Sequence, residues 1–190
     1  MPVYEVMGKN EKGSPFRKYS YYKSETAIEN LLRYVTRTQK NGVNTNDVVS
    51  IGGAGVFLYI GIEPVIQSFR DVQKAYGITS GRRMAHEVFS FSNEDFVEYG
   101  CDYNRVILLA NEMCSYYFNQ GFQVVYAIHH ELGKFVHIHF AINAVNYKTG
   151  RKYHLDRNGY EQNKLLFQSM FDKYCLFHII QPISFSYIAS

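Results

Sequence analysis

A pair of adjacent histidines followed by a His-x-His pair constrains this chain most, within Val124–Asn146 (VVYAIHHELGKFVHIHFAINAVN). Successive side chains of an extended strand point to opposite faces, so His137, His139 and Asn143 share one face. The turn-forming stretch Glu131–Lys134 folds the upstream histidines back beside them. The pattern therefore predicts an antiparallel hairpin on which three imidazoles converge.

Three converging imidazoles predict a metal site, because neutral imidazole suits divalent transition metals. Such a site leaves positions for substrate oxygens and can polarise a phosphoryl group as a Lewis acid. The alternative is a polar strand face that carries scattered histidines. Alternation also puts only one of His129 and His130 on the face of the His-x-His pair.

Length and composition limit the classes of protein to which the chain can belong. At 190 residues the chain is expected to form one domain with a substantial core. No run of about 18 apolar residues is present, and the start lacks a charged region followed by an apolar one, so we expect no membrane insertion and a cytoplasmic location. The widely spaced Cys101, Cys114 and Cys175 predict reduced thiols.

The aromatic residues point to one class of partner. The net charge is only +3, yet the chain has 17 Tyr, many in basic company, as in Lys18–Lys23 and Tyr147–Tyr153. Interleaved rings and cations suit single-stranded nucleic acid, where rings stack on bases and cations follow phosphates. Solvated loops rich in amphipathic tyrosine explain the same pattern.

Helical and strand patterns alternate along the chain. A strand is predicted at His86–Ser92, and Val48–Tyr59 is interpreted as a connection without a phosphate-binding glycine motif. Helices are predicted at Ala27–Arg37, Ile62–Tyr76, Tyr103–Asn119 and Glu161–Phe177. The expected fold is a single α+β domain with a central antiparallel β-sheet, helices packed on one face and the site on the other.

Tyr34 is the tyrosine that the pattern places best for chemistry. It lies off the buried stripe of the first helix, towards Arg37; the stripe is formed by Ile28, Leu31, Leu32 and Val35. A tyrosine hydroxyl that attacks a phosphodiester gives a covalent phosphotyrosyl product. A water nucleophile would instead make the protein a metallohydrolase, and a partly buried packing role for Tyr34 is the structural alternative.

Three motifs in order resemble those of relaxases, the nicking enzymes of conjugative and mobilisable elements, in the HUH endonuclease superfamily and most like the MobP type. Leu32–Arg37 (LRYVTR) is similar to the first motif, whose tyrosine attacks DNA. Tyr76–Ser92 (YGITSGRRMAHEVFSFS) resembles the second, where an SF pair lies near the bound strand. His129–Asn143 resembles the third, HxHxxxN with an upstream histidine.

This resemblance implies a fold, a reaction and roles for residues. The fold would be the RRM-like palm of HUH enzymes, and the reaction a site- and strand-specific cut at an origin of transfer that leaves the 5′ phosphate on Tyr34. His137 and His139 would bind a divalent metal, with Mn²⁺ or Mg²⁺ expected. The DNA would be contacted by Arg37, Arg82, Arg83, Ser90, Phe91, Asn143, Lys148, Arg151 and Lys152. Five of these, Arg82, Arg83, Lys148, Arg151 and Lys152, are added from their charge alone.

The third ligand departs from the family pattern. Relaxases usually place it seven or eight residues before HxH and just before an acidic residue; His130 gives seven and His129 gives eight. We favour His129, with Glu131 as a carboxylate that fixes a ring tautomer, and keep His130 as the alternative.

Two other functions stay open. An HUH replication initiator usually has its tyrosine after the HxH motif, and Tyr153, Tyr160 and Tyr174 lie there. A metal-free DNA-binding module would keep only the fold. A histidine-triad nucleotide hydrolase is excluded, because its third alternating histidine is Ala141 here.

The expected partners follow from the relaxase resemblance. They are single-stranded or hairpin origin-of-transfer DNA, accessory DNA-binding proteins and a conjugative coupling protein. Residues 1–190 would be the whole of a small relaxase or a nicking domain excised from a longer one.

Overall fold

The computed structural model describes residues 2–7, 9–10, 17–18, 22–37, 39–40, 43–44, 47–98, 101–130 and 135–176. The strands are β1 (Val3–Val6), β2 (Lys9–Asn10), β3 (Arg17–Lys18), β4 (Gln39–Lys40), β5 (Val43–Asn44), β6 (Val48–Ala54), β7 (Met84–Phe91), β8 (Val124–His130) and β9 (Val136–Asn143). The helices are α1 (Ala27–Val35), α2 (Ile62–Ala75), α3 (Asn93–Glu98), α4 (Tyr103–Asn119) and α5 (Arg157–Phe171), with a 3₁₀ turn at Leu58–Ile60 and a π-helical turn at Asp172–Leu176.

Five strands form one antiparallel sheet in the order β1-β7-β9-β8-β6. The hairpin predicted from the histidine stretch, β8 and β9, lies near its centre, which confirms the α+β fold with a central antiparallel sheet. Across the hairpin His129 pairs with His137, and on the other side of β9 Ser90 pairs with His137. Directly paired residues share a face of the sheet, so the register brings side chains from three strands to one surface.

Helices cover both faces of the sheet, which corrects the expectation of helices on one face only. On the back face α4 and α5 bury an aromatic core that includes Tyr117, Phe140 and Phe167. On the front face α1 and α2 pack Leu32 and Phe69, among others, against small residues of β8 and β9. The central strands are apolar on both faces, and each apolar face must be covered.

The region Val48–Tyr59, interpreted as a connection, contains the edge strand β6, which pairs with β8. Its glycines lower the β-propensity that would have revealed it. They are required by close approach: a Cβ at Gly52 would collide with the ring of Tyr126, and one at Gly53 with the backbone of Val124. Glycine here permits tight packing within the sheet.

The cysteine prediction is wrong for two of the three residues. Cys101 and Cys175 are paired in a disulfide, and only Cys114 is free. Cys101 precedes α4 and Cys175 follows α5, so the side-by-side packing of these helices brings together residues 74 positions apart in sequence. Burial raises the pKa of the Cys114 thiol to about 12, so this thiol stays protonated at neutral pH.

Candidate active site

Three histidines converge on the front face beside α1: His129 and His139 are buried, and His137 is half-buried. His129 comes from β8, and His137 and His139 come from β9; one ring nitrogen from each lies within 4.8 Å of the others. His130 points to the back face, where its ring nitrogens contact the Tyr103 hydroxyl at 2.7 Å and the Asn93 amide oxygen at 3.1 Å. The alternation of strand side chains thus separates the two adjacent histidines.

Backbone carbonyls fix two of the three rings. His129 Nε2 lies 2.7 Å from the Val35 carbonyl oxygen, and His137 Nδ1 lies 3.1 Å from the Phe135 carbonyl oxygen. A carbonyl only accepts hydrogen bonds, so each of these nitrogens carries its proton. The lone pair is then left on the other nitrogen, Nδ1 of His129 and Nε2 of His137, which is the state in which imidazole binds a metal.

The third ring is held by another histidine, which the sequence analysis missed. His139 Nδ1 lies 2.9 Å from Nε2 of His86, and His86 Nδ1 lies 2.8 Å from the Tyr22 hydroxyl. His86 is on β7 with only 2% of its surface exposed. Alternation along β7 could have revealed it, because His86 shares the face of Ser90, which the resemblance already placed near DNA.

Burial favours the neutral form of His129, His139 and His86. It is the main cause that lowers the pKa of His129 and, much further, that of His139, with the neighbouring histidines as lesser causes. Burial and the nearby His129 lower the pKa of His86 to about 3. Neutral imidazole is the form that ligates metals, so the electrostatics suit the donor geometry.

Tyr34 stands beside this cluster at the edge of α1. Its ring centre lies 5.9 Å from that of His139 and 6.1 Å from that of His86, and 46% of its surface is exposed. The Arg37 guanidinium carbon lies 4.3 Å from the centre of the same ring. The predicted stripe of α1 is buried as expected, so the helix presents Tyr34 outward, next to the histidines.

The end of α1 is tied directly to the cluster. The Val35 carbonyl belongs to the last turn, where helix carbonyls lack intrahelical partners, and His129 satisfies it. One hydrogen bond thereby fixes both the orientation of a histidine ring and the position of the helix that carries Tyr34.

Of the SF pair, only Ser90 lies on the front face. It is half-buried and directly opposite His137. Phe91 points to the back face, is 2% exposed and packs against Phe96 and Phe171. Phe91, which the resemblance places along the DNA, thus belongs to the core of this structure, because adjacent strand residues face opposite ways.

Asn143, which is predicted to contact DNA, is buried in this structure. It has the same face as the histidines, as predicted, but it is 0% exposed because α2 covers that part of the sheet. Its amide nitrogen donates to the Phe69 carbonyl and to Gln123, and its amide oxygen accepts from Gln73 and the Val145 backbone. These bonds satisfy the buried amide.

The predicted basic residues of the two turns lie away from the histidines. Met84 at the start of β7 pairs with Asn143 at the end of β9, whereas Ser90 near the other end pairs with His137. The turn before Met84 and the turn after Asn143 are thus at the end of the sheet opposite the cluster. These turns carry Arg82, Arg83, Lys148, Arg151 and Lys152.

Two of these cations donate hydrogen bonds to backbone carbonyls of the neighbouring turn. The Arg83 guanidinium donates to the backbone carbonyls of Ile78 and Thr79, and Lys152 Nζ donates to the carbonyl of Ser80. Burial, then the charges of Arg83 and Arg82, lowers the pKa of Lys152. Glu131, predicted as a carboxylate partner of His129, lies outside the described residues.

A His-x-His pair and a third histidine on central antiparallel strands, with a tyrosine on a flanking helix, define the class of HUH nucleases. The family model for relaxases, described as the MobA/VirD2-like nuclease domain, matches residues 34–176. The chain belongs to this relaxase family. No curated protein matches it significantly.

Membership of the family has direct consequences. The chain is a DNA-binding, DNA-nicking enzyme of the relaxase type, and relaxases typically use a divalent metal, for which the three histidines form a suitable donor set. Among the described residues, no helix is both long enough and apolar enough to cross a membrane.

Proposed function

We propose that the protein nicks one DNA strand at an origin of transfer by attack of Tyr34, for conjugative transfer or mobilisation. The observation that carries this proposal is the half-exposed Tyr34 ring, held 5.9 Å from the His139 ring at the edge of the three-histidine cluster. A nucleophile must reach both solvent-borne substrate and the groups that stabilise the reacting phosphate. Tyr34 meets both conditions.

In the proposed reaction the Tyr34 hydroxyl oxygen forms a bond to the scissile phosphorus. The bond from phosphorus to the 3′ oxygen breaks, the phenol proton passes to water or a nearby base, and the leaving 3′ oxygen gains a proton. The 5′ phosphate stays on Tyr34. One phosphodiester replaces another, so the step is reversible and the strand can be rejoined.

The three imidazoles fit a divalent metal ion. The nitrogens opposite the carbonyl contacts are His129 Nδ1 and His137 Nε2, and the nitrogen of His139 not bonded to His86 is Nε2. An all-imidazole donor set favours a transition ion such as Mn²⁺ over Mg²⁺, which prefers carboxylate and water oxygens. A bound divalent ion supplies Lewis-acid polarisation of the phosphoryl oxygens.

The choice of third ligand is tested by two neighbouring substitutions. We expect His129→Ala to lower Mn²⁺ affinity on the order of 10–100-fold or more, because a loss of that size follows even when only a hydrogen-bond partner of a ligand is removed. His130→Ala should leave affinity close to wild type, because His130 contacts Tyr103 on the back face. Calorimetric titration of both variants gives the ranking, and the reverse order would transfer the role to His130.

The initiator alternative is disfavoured by where its tyrosines lie. The Tyr153 hydroxyl donates to the buried Glu87 in the back-face core, and that of Tyr160 donates to the Tyr4 carbonyl. Tyr174 lies beyond α5 and its hydroxyl donates to Glu112 of α4. All three are on the side of the sheet away from the histidines, which supports Tyr34 as the attacking tyrosine.

The experiment that tests the proposal captures the covalent product. The protein is exposed with Mn²⁺ to a supercoiled plasmid library, the reaction is stopped with SDS, and the protein-linked DNA is sequenced. Mass spectrometry of the digested adduct should map the DNA to Tyr34 by its 5′ phosphate. An adduct on Tyr153, Tyr160 or Tyr174 would favour the initiator, cleavage without adduct would indicate a water nucleophile, and binding without cleavage would indicate a DNA-binding module.

The remaining partners are part of the same proposal. Ser90 and Arg37 flank the cluster and are proposed to contact the strand at the nick, while the exposed Lys148 and Arg151 are proposed to contact DNA further away. Single-stranded or hairpin origin DNA is the proposed substrate. Accessory DNA-binding proteins, a coupling protein and a cytoplasmic location remain proposals.

A further inference from the structure

We propose that Tyr22 and His86 are positioning residues that hold His139 in the tautomer required for metal binding. This inference rests on the metal role proposed above for the three histidines. It concerns the one ring of the cluster whose proton is not fixed by a backbone carbonyl. The observation behind it is the chain of hydrogen bonds from the half-buried Tyr22 through the buried His86 to His139.

The His139 ring differs from its neighbours in the nature of its partner. His129 and His137 each face a carbonyl oxygen, which can only accept. His139 Nδ1 faces Nε2 of His86, and a neutral imidazole nitrogen either accepts or donates. The contact at 2.9 Å therefore allows two arrangements of protons.

Only one arrangement makes His139 a ligand. If His86 carries its proton on Nδ1, its Nε2 accepts from His139 Nδ1–H, and His139 Nε2 keeps its lone pair. If His86 carries its proton on Nε2, it donates to His139 Nδ1, and the His139 proton moves to Nε2, where it blocks coordination. The tautomer of His139 thus depends on whether Nδ1 of His86 carries a proton.

Tyr22 is the residue that meets His86 Nδ1. Its hydroxyl oxygen, 2.8 Å away, can accept the Nδ1 proton. The tyrosine is held in place at its backbone, where the carbonyl accepts from Arg83 N at 2.7 Å. Without the hydroxyl, the metal-binding arrangement would leave a buried N–H donor on His86 unsatisfied, which is costly.

The first test is a double-substitution cycle with Zn²⁺ as the probe ion. We expect Tyr22→Phe to lower Zn²⁺ affinity by about 10-fold in calorimetry. This is the lower end of the range expected when a residue that supports a metal ligand by hydrogen bonding is lost. In a His86→Gln background the same change should have no further effect, because the glutamine amide oxygen accepts from His139 Nδ1 without help from Tyr22. Tyr103→Phe is the matched control, since its hydroxyl contacts His130 on the back face.

The second test is a spectroscopic signature that a merely structural role would not produce. In the Zn²⁺-bound protein, long-range ¹H–¹⁵N spectra should place protons on Nδ1 of His86 and Nδ1 of His139. A proton on Nε2 of His86, or equal Zn²⁺ affinity of wild type and Tyr22→Phe, would overturn the inference. A wild-type protein that does not bind Zn²⁺ would instead refute the metal site itself and the inference with it. If His86→Gln does not fold, Tyr22→Phe and the spectra still decide.

Discussion

Tyr34→Phe should abolish both the nicking of origin DNA and the SDS-resistant protein–DNA adduct. The substitution removes only the hydroxyl that would attack phosphorus, and it keeps the ring that lies against His139 and under Arg37. Loss of a covalent nucleophile lowers turnover by on the order of 10³-fold or more. The measurement is gel analysis of a cleaved, labelled oligonucleotide after SDS treatment.

The matched control is Tyr76→Phe. Tyr76 is 40% exposed, close to the exposure of Tyr34, but its hydroxyl donates to the Tyr147 carbonyl at the far end of the sheet. We expect the control to nick at the wild-type rate and both variants to bind DNA like wild type, because phosphate contacts and base stacking supply most of the affinity. An adduct that persists in Tyr34→Phe would contradict the assignment of Tyr34.

The histidine site could be predicted because strand geometry is nearly rigid. A period of two residues separates His129 from His130 and aligns His137 with His139, whatever packs above them. The same holds for α1, whose period of 3.6 residues buries Leu32 and leaves Tyr34 outside. Such local periodicities are encoded in the chain itself, and the structure agrees with them.

The accessibility of a strand face could not be predicted in the same way. Alternation places Asn143 on the face of the histidines, and this is what the structure has; yet α2 covers Asn143 and leaves His137 open. Which part of a face is covered depends on where distant helices pack, and no local pattern encodes that. The disulfide between Cys101 and Cys175 was missed for the same reason, since tertiary packing alone brings them together.

The role of His86 shows a further limit. Alternation gives the face of His86, but a single histidine in a strand looks like an ordinary core residue, and only the pairing of β7 with β9 brings it to His139. The basic residues of the two turns are the opposite case, because there the sequence did suggest a function. Charge suggested that Arg83 and Lys152 contact DNA, but charge alone cannot distinguish such a role from the bonding of backbone carbonyls that the structure has.

Removal of divalent metal should abolish nicking. EDTA should stop cleavage of origin DNA and Mn²⁺ should restore it, because an ion at His129, His137 and His139 would stabilise charge on the phosphoryl oxygens. His137→Ala should reproduce the loss in the presence of Mn²⁺. His137 is the best single site for this test, since it is only half-buried, whereas His139 is buried and bonded to His86.

The control for His137→Ala is His154→Ala, which removes an exposed imidazole from the segment before α5. We expect it to nick and to bind Mn²⁺ like wild type. His137→Ala should keep most of its DNA affinity, measured by fluorescence anisotropy, because truncating a metal ligand leaves the phosphate and stacking contacts intact. Full nicking activity in rigorously metal-free buffer would contradict the metal role, and the three histidines would then have to act on the phosphate without an ion.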